Sequence, residues 1–85
     1  MENNKFLKKK IIYRSQHRGT KEMDLLLGSF VVKYVDSFNE KELVELNNLL
    51  NFEDEIIYNW YFSKNDKAKF PVNRVTKEFK KFKIY

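Results

Sequence analysis

Between Met23 and Tyr34 the apolar side chains Met23, Leu26, Leu27, Phe30, Val31 and Tyr34 fall at i, i+3, i+4, i+7, i+8 and i+11. That spacing is one face of an α-helix; a strand, whose side chains alternate, cannot put all six on one side. It predicts a helix from about Thr20 to Ser37. Leu25, Val32 and Val35 widen the apolar face, as expected of a central helix touched by several neighbours. The β-branched residues leave a strand over residues 30–35 as the alternative. With two Gly and one Pro in 85 residues, however, the chain lacks the turn punctuation that a series of short strands needs. The expected fold class is all-α.

The same reasoning predicts four more helices. Phe6 to His17 forms the first, with Leu7, Ile11 and Arg14 along one side, closing at Gly19 as a left-handed cap. Asn39 with Glu42 three residues on makes a capping box, opening a third helix that turns Leu43, Leu46 and Leu50 inward and ends at Asn51 and Phe52. Glu53, Asp54 and Glu55 place negative charge on the first turn of a fourth, where the helix dipole favours it, and Ile56, Ile57, Trp60 and Tyr61 are its apolar face. Residues 63–70 read as a polar loop. The fifth helix starts at Pro71 or Asn73 and carries Val72, Val75, Phe79 and Phe82 as its stripe, with Lys77, Lys80, Lys81 and Lys83 largely off it. The sum is a compact five-helix bundle, residues 1–85 forming a single domain. Aromatic residues, 16% of the chain, supply much of its core area.

Charge is distributed in blocks. The net charge of +5 divides into +6 over residues 1–21, −7 over 22–55 and +6 over 56–85. A nucleic-acid binder gathers positive charge on one face, so an acidic middle between basic ends speaks against that class without removing it. The absence of Cys excludes disulfides, thiolate metal sites and a cysteine nucleophile. No stretch approaches the roughly 18 apolar residues of a membrane span, and the N-terminal residues lack a signal-peptide core. The expected setting is the bacterial cytoplasm, without membrane insertion.

Catalytic spacings are missing. There is no Gly-rich phosphate loop, and the single His cannot build a His-based metal cluster. His17 reads either as a weak ligand or as a cap on the end of the first helix. Glu22 and Asp24, two apart on a helix, point about 200° from each other and cannot converge as an acid/base pair. The expectation is that Glu22 complements the start of the second helix and Asp24 pairs with Arg14 or Lys21. Tyr58, Trp60, Tyr61 and Phe62 can stack bases or fill a core, and core is expected of Trp60 and Tyr61. The chain is therefore expected to be a binding protein, not an enzyme, holding no metal or cofactor itself; a small basic nucleic-acid-binding protein is the alternative.

The candidate binding surface is the corner between the first two helices, where Arg14, His17, Arg18, Gly19, Glu22 and Asp24 lie within eleven residues. Rigid helices on both sides fix guanidinium, bare backbone and carboxylate relative to one another, and the missing side chain of Gly19 lets a partner come close.

Residues 13–30 resemble the signature of the succinate dehydrogenase flavinylation factor family, found in bacteria and mitochondria. Its hallmark is R-G-x-x-E before an apolar helix, matched here by Arg18, Gly19 and Glu22, and the surrounding residues are similar to alphaproteobacterial members. The likeness continues through Leu43 to Leu50 and Ile56 to Trp60. It implies a five-helix assembly factor that binds the flavoprotein subunit of succinate dehydrogenase, with the fumarate reductase flavoprotein as a second candidate. It further implies that the Arg18-Gly19-Glu22 corner faces the partner's FAD region and promotes covalent attachment of FAD to a partner histidine. The flavin chemistry then belongs to the cofactor and the partner.

Overall fold

The computed structural model describes residues 2–62 and 71–83. Five α-helices occur in order: α1 (Glu2–Gln16), α2 (Lys21–Tyr34), α3 (Glu40–Leu49), α4 (Asp54–Phe62) and α5 (Arg74–Lys81), with a 3₁₀ turn at Val35–Ser37 after α2. No strand is present among the described residues, so residues 30–35 are helix and turn. The loop expected at 63–70 lies outside them.

Helix α2 is central, as its broad apolar face implied. Met23, Leu26, Leu27, Phe30 and Val31 are buried within one core that also takes Ile11 from α1, Leu43, Leu46 and Leu49 from α3, Ile57, Trp60 and Tyr61 from α4, and Val75 and Phe79 from α5. Phe30 is its hub: the rings of Phe79 and Phe82 stand edge-on to it at centroid distances of 5.1 and 5.5 Å, a favoured aromatic arrangement. Tyr61 is buried nearby, its hydroxyl donating to the Phe82 carbonyl, and burial raises its ionisation above the usual range. On the other side, α1 packs against α2 across Gly28. A Cβ there would stand 3.3 Å from Gln16 Cγ and 3.6 Å from the Ser15 carbonyl, so glycine permits the close approach.

Four apolar residues expected to face inward do not. Leu25 and Val32 lie 52% and 60% exposed, Ile56 is 41% exposed, and Val72 is 82% exposed just before α5. The α2 pair falls on the side opposite Phe30, so the buried stripe is narrower than the run of apolar letters. Val72 precedes the true start of α5: Asn73 is the N-cap, its side chain accepting from the Thr76 N–H at 2.9 Å.

The capping box at α3 is present. Asn39 N–H donates to Glu42 Oε1 at 2.9 Å and Glu42 N–H to Asn39 Oδ1 at 2.8 Å, while Arg74 reaches the same carboxylate at 3.1 Å and ties α5 to α3. The Asn39 N–H holds the Glu42 carboxyl below its ordinary range, partial desolvation opposes this, and Arg74 adds to the lowering. A carboxyl lowered by folding contributes stability that is full above the unfolded carboxylate range and is lost as pH falls through the folded value. In Glu42→Gln the deficit in urea midpoint relative to wild type should therefore shrink on acidification. An unchanged deficit from neutral to acid pH would show that the charge on Glu42 contributes nothing.

Candidate functional site

Helix α1 ends at Gln16 and α2 begins at Lys21, so His17, Arg18, Gly19 and Thr20 turn the corner. Thr20 is the N-cap of α2, its hydroxyl accepting from the Met23 N–H at 3.2 Å. Gly19 does not adopt the expected left-handed conformation, since no described glycine has a positive φ. The turn is closed by side chains instead. Asp24 reaches back to accept from the Arg18 backbone N–H, and this, rather than a salt bridge to Arg14 or Lys21, is its partner. Its carboxylate satisfies a backbone donor in the turn, the role a short acidic side chain serves best.

Both arginines point into the protein. Arg14 donates to Asn47 Oδ1 at 2.7 Å, Asn51 Oδ1 at 2.6 Å and the Leu50 carbonyl at 3.2 Å. Arg18 donates to the Leu50 carbonyl at 2.8 Å, the Phe52 carbonyl at 2.9 Å and Asp54 Oδ1 at 2.7 Å. A helix leaves its last carbonyls without intrahelical donors and with partial negative charge, so two guanidiniums converging on Leu50 cap α3 by hydrogen bond and by charge. Asp54, the first residue of α4, accepts with its second oxygen from the Gly19 N–H at 2.8 Å. One carboxylate thus clamps the side chain of Arg18 and the backbone of Gly19, fixing the corner to the start of α4. A Cβ at Gly19 would stand 3.1 Å from Asp54 Oδ2.

The remaining corner residues face outward. His17 stacks on Tyr13 with ring centroids 3.9 Å apart, and its Nδ1 lies 2.8 Å from the Tyr13 carbonyl, the capping role expected of it. Glu22 is exposed on the first turn of α2 and meets no cation within ion-pair distance among the described residues. It borders a shallow groove of about 450 Å³ lined by Gly19, Thr20, Glu22 and Met23 on one side and Asp54, Glu55 and Tyr58 of α4 on the other. The structure therefore brings Gly19 and Glu22 together at a groove and sets Arg14, Arg18 and Asp24 behind it as supports. The sequence places Asp54 and Glu55 on the first turn of the fourth helix and Tyr58 among its aromatics, but nothing in local spacing links the three to a corner some 35 residues earlier. No helix among the described residues is long and apolar enough to cross a membrane, and no three of their His, Asp and Glu side chains group as a metal site.

The family described as flavinator of succinate dehydrogenase matches residues 9–83, which extends past Trp60 through α5. Among similar proteins, succinate dehydrogenase assembly factor 2, mitochondrial, of Saccharomyces cerevisiae is 49% identical over 51 residues, 60% of this chain and 32% of its own. The protein of that name from Dictyostelium discoideum is 43% identical over 58 residues, 68% of this chain and 41% of its own. The FAD assembly factor SdhE of Acetobacter pasteurianus is 33% identical over 57 residues, 67% of this chain and 52% of its own. The aligned part thus spans about a third to a half of these curated relatives. No solved structure matches the chain significantly.

Proposed function

This chain belongs to the family of succinate dehydrogenase flavinators, and on that footing we propose that it is an assembly factor that binds the flavoprotein subunit of succinate dehydrogenase and promotes covalent attachment of FAD to it. The observation that carries the reading is the corner itself. Within the matched span, a clamp built from Arg18 and Asp54 holds Gly19 at the mouth of a groove that the exposed Glu22 also lines. A rigid presentation of bare backbone and a free carboxylate suits docking, and docking is all that such a factor has to supply: the partner's histidine and its bound flavin carry the reaction, and the factor holds them in a productive arrangement. Arg14, Arg18 and Asp24 act as positioning residues, and Gly19 and Glu22 touch the partner, with His17 at the edge of the same surface. Family membership favours this reading over nucleic-acid binding.

The groove does not fit FAD as a ligand of this chain. Its rim carries Glu22 and Glu55, which pair with no cation among the described residues, beside Asp54 in its pair with Arg18, and this negative rim repels a diphosphate, which proteins ordinarily hold on backbone N–H groups and cations. Purified protein should therefore show no flavin absorbance after desalting from excess FAD. The function itself is tested by mixing apo flavoprotein subunit with FAD, with and without this chain, and reading covalent flavin as in-gel fluorescence after denaturation. Faster covalent attachment in its presence is expected; equal rates would overturn the proposal.

A further inference from the structure

The α4 side of the groove belongs to no motif of the corner, and its chemistry specifies a ligand. Glu55 and Tyr58 face it from the first turns of α4, opposite Glu22, and the buried Met23 lies at its base. Of the three lining carboxylates, Asp54 is neutralised by Arg18, whereas neither Glu22 nor Glu55 meets a cation within ion-pair distance among the described residues. Two negative charges that no described cation pairs with thus flank an apolar surface on a chain whose net charge is +5. A local potential opposite in sign to that of the whole molecule steers a cationic segment to this place and keeps it off the basic ends.

Resting on the flavoprotein-binding reading above, we infer that the groove between α2 and α4 is the partner-specificity surface. Its occupant is an exposed segment of the flavoprotein subunit that sets an apolar side chain against Tyr58 and Met23 and an adjoining arginine or lysine between Glu22 and Glu55. Tyr58 supplies a large, stiff contact at small entropic cost, the usual make-up of an interface anchor. Gly19 lets the backbone of that segment lie flat against the corner.

The test titrates apo flavoprotein subunit against wild-type chain, Glu55→Lys, Tyr58→Ala and, as a control off the groove, Val44→Ser, with circular dichroism and urea midpoints confirming that each variant folds. Glu55→Lys should weaken binding about tenfold or more at low salt, with the deficit shrinking as salt rises, because exposed charge pairs are screened. Tyr58→Ala should weaken it by a similar factor with little salt dependence, and Val44→Ser should bind as wild type. Wild-type affinity in both groove variants, alongside failure of Glu22→Ala, overturns this inference and leaves the functional reading standing. A wild-type chain that does not bind the flavoprotein overturns both. Self-association of the wild type that Glu55→Lys abolishes assigns the groove to a second copy and overturns the inference.

Discussion

Replacing Arg18 by Ala is expected to destabilise the fold by about 2–4 kcal/mol, so that any loss of function in this variant comes through the structure. The side chains of Arg18 and Asp54 are 10% and 21% exposed, so the pair is largely withdrawn from water. Removing one member of such a pair strands the other charge, and the stranded group, not the lost attraction, makes the larger cost. Here the stranded charge is the Asp54 carboxylate, left among the described residues with the Gly19 N–H alone, while the carbonyls of Leu50 and Phe52 each lose a charged donor and Leu50 keeps Arg14. For a chain of this length total stability is on the order of 4–13 kcal/mol, so the loss takes a large share. Arg18→Lys should recover only part of it, because a single ammonium cannot span three acceptors that a planar guanidinium reaches at once. Urea denaturation of the three proteins decides: an Arg18→Ala unfolding free energy within about 0.5 kcal/mol of wild type would mean the clamp does not hold the corner.

Arg18 is thus a structural residue of the corner, its guanidinium engaged by the end of α3 and the start of α4. The sequence makes the helices legible because burial and periodicity are local facts: the face from Met23 to Val31, the box at Asn39 and Glu42, and the aromatic stripe of α5 each sit within a few turns. Leu25 and Val32 mislead because composition cannot say on which side of a broad apolar helix the neighbours stop. At the corner, residue types mark the turn between α1 and α2 while the contacts each side chain makes stay hidden. Whether Arg18 faces a partner or the end of α3 depends on how α3 and α4 fold back over the corner, and no spacing within residues 13–24 records that. Asp24 taught the same lesson on a smaller scale: a carboxylate near two basic side chains took a backbone N–H instead, because the turn had a donor to satisfy.

Glu22→Ala is expected to do the reverse of Arg18→Ala, leaving the fold nearly intact while reducing covalent flavin attachment about tenfold or more, equivalent to roughly 1.4 kcal/mol of lost interaction. Glu22 is exposed and makes no ion pair among the described residues, so its removal strands nothing. The loss of a negative charge from the first turn of α2 costs about 0.3–1 kcal/mol, and the higher helix propensity of Ala offsets part of it. Glu22→Gln separates charge from shape: if a partner cation is what Glu22 meets, Gln should fail almost as badly as Ala. Gly19→Arg is the harsher variant. It meets no left-handed strain, but its Cβ presses on Asp54 Oδ2 and its guanidinium brings a second cation beside the Arg18 pair, so its melting temperature has to be followed together with activity. Wild-type flavinylation by Glu22→Ala, measured on protein of unchanged stability, would strip the corner of its docking role and leave it a helix cap.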